Sequence, residues 1–275
     1  MSGAPTRHRA ATAAALAAVL VGTTASTSAP AAHPDPLTRD LDLVASANPS
    51  AAQPVVTDQA FADVVSYFRT VKSDVTATGS AACDGCDAAS TAVQVLYVSH
   101  ARQAGLDNTA TAWTQACANC TATALSVQVV VLRGVSAVVP NNRALAVTAA
   151  CGSCRATGVA YQVVVSSRSS GRLSRQAVAA LRAWVAEQVA ALRTPAPAPE
   201  PTTEPTPAPA TPSPSTSPSD DTTEPPAPVS RRGRPKAERR AQRTADAALV
   251  TLENLVVGDL GAAPVSSDSE VELSR

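Results

Sequence analysis

The chain has 275 residues and carries 22 basic and 22 acidic side chains, so no global field draws it to nucleic acid or to a membrane surface. Aromatics make up 3% of it and Met1 is the sole methionine, so its core must be thin and built from Val, Leu and Ala. The histidines are His8, His33 and His100, and no His-Glu-x-x-His, Gly-x-Ser-x-Gly or phosphate-loop motif is present. No catalytic residue and no cofactor is assigned on this evidence.

Residues 1–32 read as a secretory signal peptide. Arg7, His8 and Arg9 form a basic start, Ala10 to Val21 an apolar run, and Ala29-Pro30-Ala31 a cleavage site. The apolar run is shorter than the roughly 20 residues a membrane-spanning helix needs, although retention as an anchor stays open. No later segment could span a membrane, because Glu253 interrupts Ala247–Val257. The mature chain is therefore expected to be secreted or envelope-associated, in an oxidising compartment. Residues 33–56 read as a flexible lead-in. Next, Phe61, Val64, Val65, Phe68 and Val71 fit a helical stripe with Thr57 or Asp58 as N-cap. Phe61, Val65 and Tyr67 also fit a strand.

All six cysteines lie in three Cys-x-x-Cys pairs, Cys83/Cys86, Cys117/Cys120 and Cys151/Cys154, each starting 34 residues after the last. Gln94, Gln128 and Gln162 each follow the second cysteine by eight residues. This is an internal repeat. Behind each pair, apolar residues alternate with small ones, which argues for strands. The residues between the cysteines, Asp84-Gly85 and Gly152-Ser153, suit two-residue hairpin turns, whereas Ala118-Asn119 fits poorly. The spacing thus predicts a mainly β domain over 57–193 of three disulfide-tipped β-hairpins, in which Trp113 faces Ala124 and Leu145 faces Ala160. A helix from Ser174 to about Arg193 caps it, with Leu173 and Val178 at staple positions and Val178, Leu181, Val185, Val189 and Leu192 on one face.

Residues 194–229 include 13 prolines and read as an extended, disordered linker, rising about 3.1 Å per residue. The tail, 230–275, opens with Arg231, Arg232, Arg234, Lys236, Arg239, Arg240 and Arg243 against Glu238 alone. It continues as a helix with Ala245, Leu249, Leu252 and Val256 on one face and Gly258 as its stop. Arg232-Gly233-Arg234-Pro235-Lys236 matches the core of an AT-hook, but export argues against a nucleic-acid partner. An anionic cell-wall polymer or another envelope protein fits better. The tail is expected to be separable from the β domain.

A Cys-x-x-Cys pair admits three chemistries. In a thioredoxin-like enzyme it opens a helix that acidifies the first thiol; in a zinc site two pairs supply four thiolates; in an exported domain each pair closes a short disulfide. The compartment and the strand-like segments behind the pairs favour disulfides and no bound metal. The repeated glutamines are candidates for a polar ladder across the sheet.

The run Asn142-Arg-Ala-Leu-Ala-Val-Thr-Ala-Ala-Cys151-Gly-Ser-Cys154, continuing Arg-Ala-Thr-Gly-Val-Ala-Tyr-Gln162-Val-Val-Val, resembles a group of secreted or membrane-anchored actinobacterial Cys-x-x-Cys repeat proteins. Some of these look like the extracytoplasmic portion of proteins labelled peptide zinc metalloproteases. The resemblance covers Gln59 to Arg193. The metal-binding motif and the membrane spans of such proteases are missing here, so it implies no protease activity. The resulting expectation is an exported, non-catalytic scaffold or interaction module. An extracytoplasmic thiol–disulfide oxidoreductase and a zinc-binding domain are the alternatives.

Overall fold

The protein is mainly β, as its repeats predict, and in the computed structural model it is a β-solenoid of four coils. The structure describes residues 38–169, 171–193 and 235–275. The signal peptide, the linker and Arg231, Arg232 and Arg234 lie outside the described residues. Each coil contributes two strands: β1 (Thr38–Ala47) and β2 (Val55–Ser66), β3 (Thr70–Ala81) and β4 (Asp87–Ser99), β5 (Gln103–Gln115) and β6 (Thr121–Arg133), β7 (Ala137–Ala149) and β8 (Arg155–Ser166). Odd strands form one parallel sheet, β1-β3-β5-β7, and even strands the other, β2-β4-β6-β8, to which β9 (Ala263–Ser274) adds an antiparallel edge.

The 34-residue period is the pairing register itself. Gln94, Gln128 and Gln162 are direct neighbours along β4, β6 and β8. The hairpin pairing is therefore replaced: the two strands flanking each cysteine pair belong to different sheets. Trp113 lies beside Ser80 and Val147 rather than Ala124, and Ala160 lies beside Ser126 rather than Leu145.

The small residues explain this outcome. Ala45, Ala77, Ala110 and Ala144 stand in register on the odd sheet, as do Ala47, Gly79, Ala112 and Ala146. They face the small positions of the even sheet, Ala88, Ala122 and Ala156 among them, to make one buried layer near the cysteines. Backbones approach so closely there that a Cβ on Gly158 would stand 2.7 Å from the Leu145 carbonyl oxygen and 3.1 Å from that of Ala110. At Gly79 it would meet the Thr123 carbonyl oxygen at 2.8 Å. The alternation of small with bulky residues therefore sorts side chains between faces, not between partners in a hairpin. Toward the opposite corner the layer takes larger side chains, including Leu41, Val71, Leu96, Leu106 and Val130.

Two expected elements change. The segment around Phe61 is β2, not a helix, and β1 lies within the expected lead-in. Ala62 stands beside Gln94, and Val55 beside Asp87, so these strands form a first coil that lacks both the cysteine and the glutamine markers.

β2 at the edge alternates exposed with half-buried residues, but the rest of the even sheet, β4, β6 and β8, is buried on both faces and reads as nearly continuous buried runs. Its outer face, including Val95, Val127, Val129 and Tyr161, is covered by α1 (Arg175–Arg193) and α2 (Lys236–Leu260). Ser174 caps α1 by accepting the Ala177 N–H at 3.0 Å, and its hydroxyl donates to Asp259 at the end of α2 at 2.6 Å. Asp259 thereby places negative charge at the α1 N-terminus, where the helix dipole favours it. Leu181, Trp184 and Val185 turn inward from α1, and Ala245, Leu249, Leu252 and Val256 from α2. α2 runs past Gly258 and stops at Gly261, whose φ of 56° is left-handed.

The tail is thus not separable. Leu249, Leu252, Val256, Leu260 and Val271 bury five large aliphatic side chains in the core. Together these are worth on the order of 10 kcal/mol, comparable with the whole stability of a domain. β9 also pairs along β8 from Ala156 to Ser166 and covers its edge.

A pair of substitutions tests the close-packed layer. Gly158→Val should lower stability by about 3 kcal/mol or more, since neither facing carbonyl can retreat. Gly105→Val, where a Cβ meets nothing within 4 Å, should change stability by no more than about 0.5 kcal/mol. Urea unfolding midpoints of the two variants measure the difference.

Candidate functional site

Each Cys-x-x-Cys forms the corner between an odd and an even strand, and each is closed by its own disulfide: Cys83–Cys86, Cys117–Cys120 and Cys151–Cys154. Their Cα atoms are 5.4, 6.3 and 5.7 Å apart. The turn chemistry shows why the chain changes sheet here. Gly85, Asn119 and Ser153 have φ of 67°, 56° and 58°, while Asp84, Ala118 and Gly152 do not have positive φ. A positive φ at the second central position alone belongs to type II-like turns, not to the primed turns that hairpins favour. Asn119, the poor match to a hairpin, suits this position well.

Successive corners are laced by backbone bonds. Gly85 N–H donates to the Ala118 carbonyl at 2.8 Å, and Asn119 N–H to that of Gly152 at 2.8 Å. This stacking brings two pairs together: the sulfurs of Cys117, Cys120, Cys151 and Cys154 all lie within 4.8 Å of one another. Cys117 Sγ is 3.4 Å from Cys151 Sγ and 3.8 Å from Cys154 Sγ. Cys117, Cys120 and Cys154 are buried and Cys151 is half-buried. Among the described residues these four are the group placed to hold a metal ion. None of the three pairs opens a helix; each leads into a strand, β4, β6 or β8.

Further along the interior, the three glutamines form a bonded row. Gln162 Nε2 donates to Gln128 Oε1 at 2.8 Å, and Gln128 Nε2 to Gln94 Oε1 at 3.3 Å. The row reaches across to the odd sheet through the Ser73 hydroxyl, which donates to Gln94 Oε1 at 2.5 Å, and through the Leu106 carbonyl, which accepts from Gln162 at 3.4 Å. A second polar row, not singled out in the sequence, lies next to it. Asn108 Nδ2 donates to Asn142 Oδ1 at 2.7 Å and to the Tyr161 carbonyl at 2.9 Å, and Ser126 Oγ donates to Asn108 Oδ1 at 2.6 Å. Asn108 and Asn142 are 34 residues apart, so the repeat offset was the signal that could have found them. Both rows are internal and satisfy buried polar groups. Nearby, burial, reinforced by Asp246, pushes the Tyr161 hydroxyl well above the ordinary tyrosine range, which keeps it neutral.

The other residues raised by the sequence fall elsewhere. His100 is exposed at the opposite corner, with a left-handed φ of 58°. It stands in series with Gly134, whose added Cβ would meet His100 Nδ1 at 3.2 Å. Lys236, Arg239, Arg240 and Arg243 are exposed on the first turns of α2, on the side of the even sheet. No helix among the described residues is long and apolar enough to cross a membrane.

One broad surface carries no covering element among the described residues: the outer face of the odd sheet. Trp113 and Val147 are adjacent in register and exposed, with Leu145 two residues before Val147. Trp113 Nε1 donates to Ser80 Oγ, which fixes the indole on the sheet. Asp42, Asp74 and Asp107 form an in-register row on the same face.

The glutamine row can be tested directly. Gln128→Leu removes the amide that bonds Gln94, Ser73 and Gln162, and should cost about 1–3 kcal/mol in thermal or urea unfolding without altering the strand content seen by circular dichroism. No family model matches the chain, and neither a curated protein nor a solved structure matches it.

Proposed function

We propose that the chain is an exported, non-catalytic scaffold or interaction module of the cell envelope. In this reading the open face of the β1-β3-β5-β7 sheet is its contact surface. The observation that carries it is the contrast between the two sheets. Two helices cover the outer face of β4, β6 and β8 in the even sheet, whereas the odd sheet presents Trp113, Leu145 and Val147 to solvent on a rigid, regularly spaced surface. Exposed apolar clusters anchored by a tryptophan mark interaction sites. The row Asp42, Asp74, Asp107, in which Asp107 is paired with Arg143 at 3.0 Å, offers no basic patch to an anionic polymer on this face. The fitting partner is another envelope protein with an apolar contact surface. Anionic polymer suits the opposite side, where Lys236, Arg239, Arg240 and Arg243 are exposed on α2.

The oxidoreductase alternative lacks a feature to support it, since no cysteine pair stands at a helix N-terminus that would acidify its first thiol.

Retention of the full chain on isolated cell envelopes is the test. Trp113→Ser combined with Leu145→Ser should reduce retention at least about tenfold, by removing the anchoring side chains. Both side chains are exposed, so the unfolding midpoint should hold. Replacing Lys236, Arg240 and Arg243 by Gln should remove only a salt-sensitive fraction. Equal retention of the Trp113/Leu145 variant would show that the open face is not the contact surface.

A further inference from the structure

We propose that reduction converts the second and third cysteine corners into a single tetrathiolate zinc site formed by Cys117, Cys120, Cys151 and Cys154. This inference does not depend on the scaffold reading. It rests on the four-sulfur cluster that coil stacking creates.

A tetrahedral zinc site with Zn–S bonds of about 2.3 Å separates neighbouring sulfurs by about 3.8 Å. Two of the contacts between the pairs already have that scale, with Cys117 Sγ 3.4 Å from Cys151 Sγ and 3.8 Å from Cys154 Sγ, and all four sulfurs lie within 4.8 Å of one another. Only the sulfurs within each pair are too close, because they are covalently bonded. Cleaving the two bonds lets each pair open while the corners stay in place. Their backbones are held by Asn119 N–H to the Gly152 carbonyl at 2.8 Å and Arg155 N–H to the Cys120 carbonyl at 2.9 Å. Burial of three of the four sulfurs excludes water, and half-buried Cys151 leaves a side for metal entry. The site is closed, with four protein ligands and no open position, so it is structural and not catalytic.

The chemistry balances with a dithiol as reductant. Each disulfide takes two electrons and two protons from one dithiol, which leaves as its own disulfide after a mixed-disulfide intermediate. Two dithiols therefore yield four thiols. Zinc then binds the sulfurs as thiolates and releases their protons to solvent. Cys83 and Cys86 lie outside the four-sulfur group and remain a separate disulfide or dithiol. The exchange replaces two short covalent loops by one cross-link between coils. This joins neighbouring coils, which none of the three disulfides does.

The experiment uses the full chain reduced with a phosphine, freed of reductant without oxygen and titrated with Co2+ as a spectroscopic stand-in for zinc. Thiolate-to-cobalt charge transfer and tetrahedral d–d bands should saturate at one equivalent and disappear on adding zinc. Zinc should also raise the unfolding midpoint of the reduced chain. Cys83→Ser with Cys86→Ser should keep the full signal. Cys151→Ser should weaken binding roughly 100-fold. Cys151→His, which cannot form the disulfide but can ligate, should restore it to within about tenfold. Absence of tetrahedral bands, metal uptake without a raised midpoint, or equal loss of signal in the Cys83/Cys86 variant would each overturn the proposal.

Discussion

The close approach of the two sheets through an alanine and glycine layer is the constraint on which the rest of the molecule depends. With Gly158 set against the Leu145 and Ala110 carbonyls, there is no room for side chains that would ordinarily fill a core. Burial between the sheets therefore yields little apolar area per residue near the cysteines, and the fold recovers stability in other ways. Every coil pairs in register with its neighbours, three of the corners are closed by disulfides, and the larger side chains gather elsewhere. They collect toward the far corner and on the outer face of the even sheet, where α1, α2 and β9 seal them. The asymmetry between a sealed and an open sheet follows from that division.

In so thin an interior, polar rows do what bulky packing does in other cores. An apolar alanine layer is tolerant of sliding, because one alanine fits where another does. Gln94, Gln128 and Gln162 are not interchangeable with their neighbours. A slip of one residue would turn them to the opposite face of the sheet, beneath the helices. Their bonds to each other, to Ser73 and to the Leu106 carbonyl fix both the coil register and the sheet-to-sheet alignment. The Asn108–Asn142 row does the same one position along the layer. The cysteine corners complete this register at the end of the coil, which is why cysteines and glutamines repeat with one period.

Much of this was legible in the residues. The 34-residue period, the strand character behind each cysteine pair, the Ser174 cap and the buried faces of both helices follow from local patterns with plain physical causes. Strand partners were not legible in the same way. A strand with small residues on one side reads alike whether that side meets a hairpin partner or a second sheet. Only the turn decides, and the clue lay in Asn119, which suits a left-handed second turn position and not a primed hairpin. The first coil escaped notice because Ala51 and Pro54 precede Val55 as Cys83 and Cys86 precede Asp87, and Ala62 replaces the glutamine. β9 escaped because Ser266 to Glu270 is polar and joins the sheet through its backbone, with little burial beyond Ser269 and Val271. Of the candidate site, the cysteines and glutamines were readable by spacing. The four-sulfur cluster was not, since it exists only once coils stack, and the open face required knowing which sheet the helices cover.

Backbone NOE measurements on the isotope-labelled chain test the central claim most directly. In-register parallel coils predict contacts from Ala124 to both Ser90 and Gly158, 34 residues away on either side. The close-packed layer predicts contacts from the Gly158 α-protons across to Ala110 and Leu145. Contacts between Ala124 and Trp113, with none from Ala124 to Gly158, would mean that the chain folds as hairpins after all and would contradict the account.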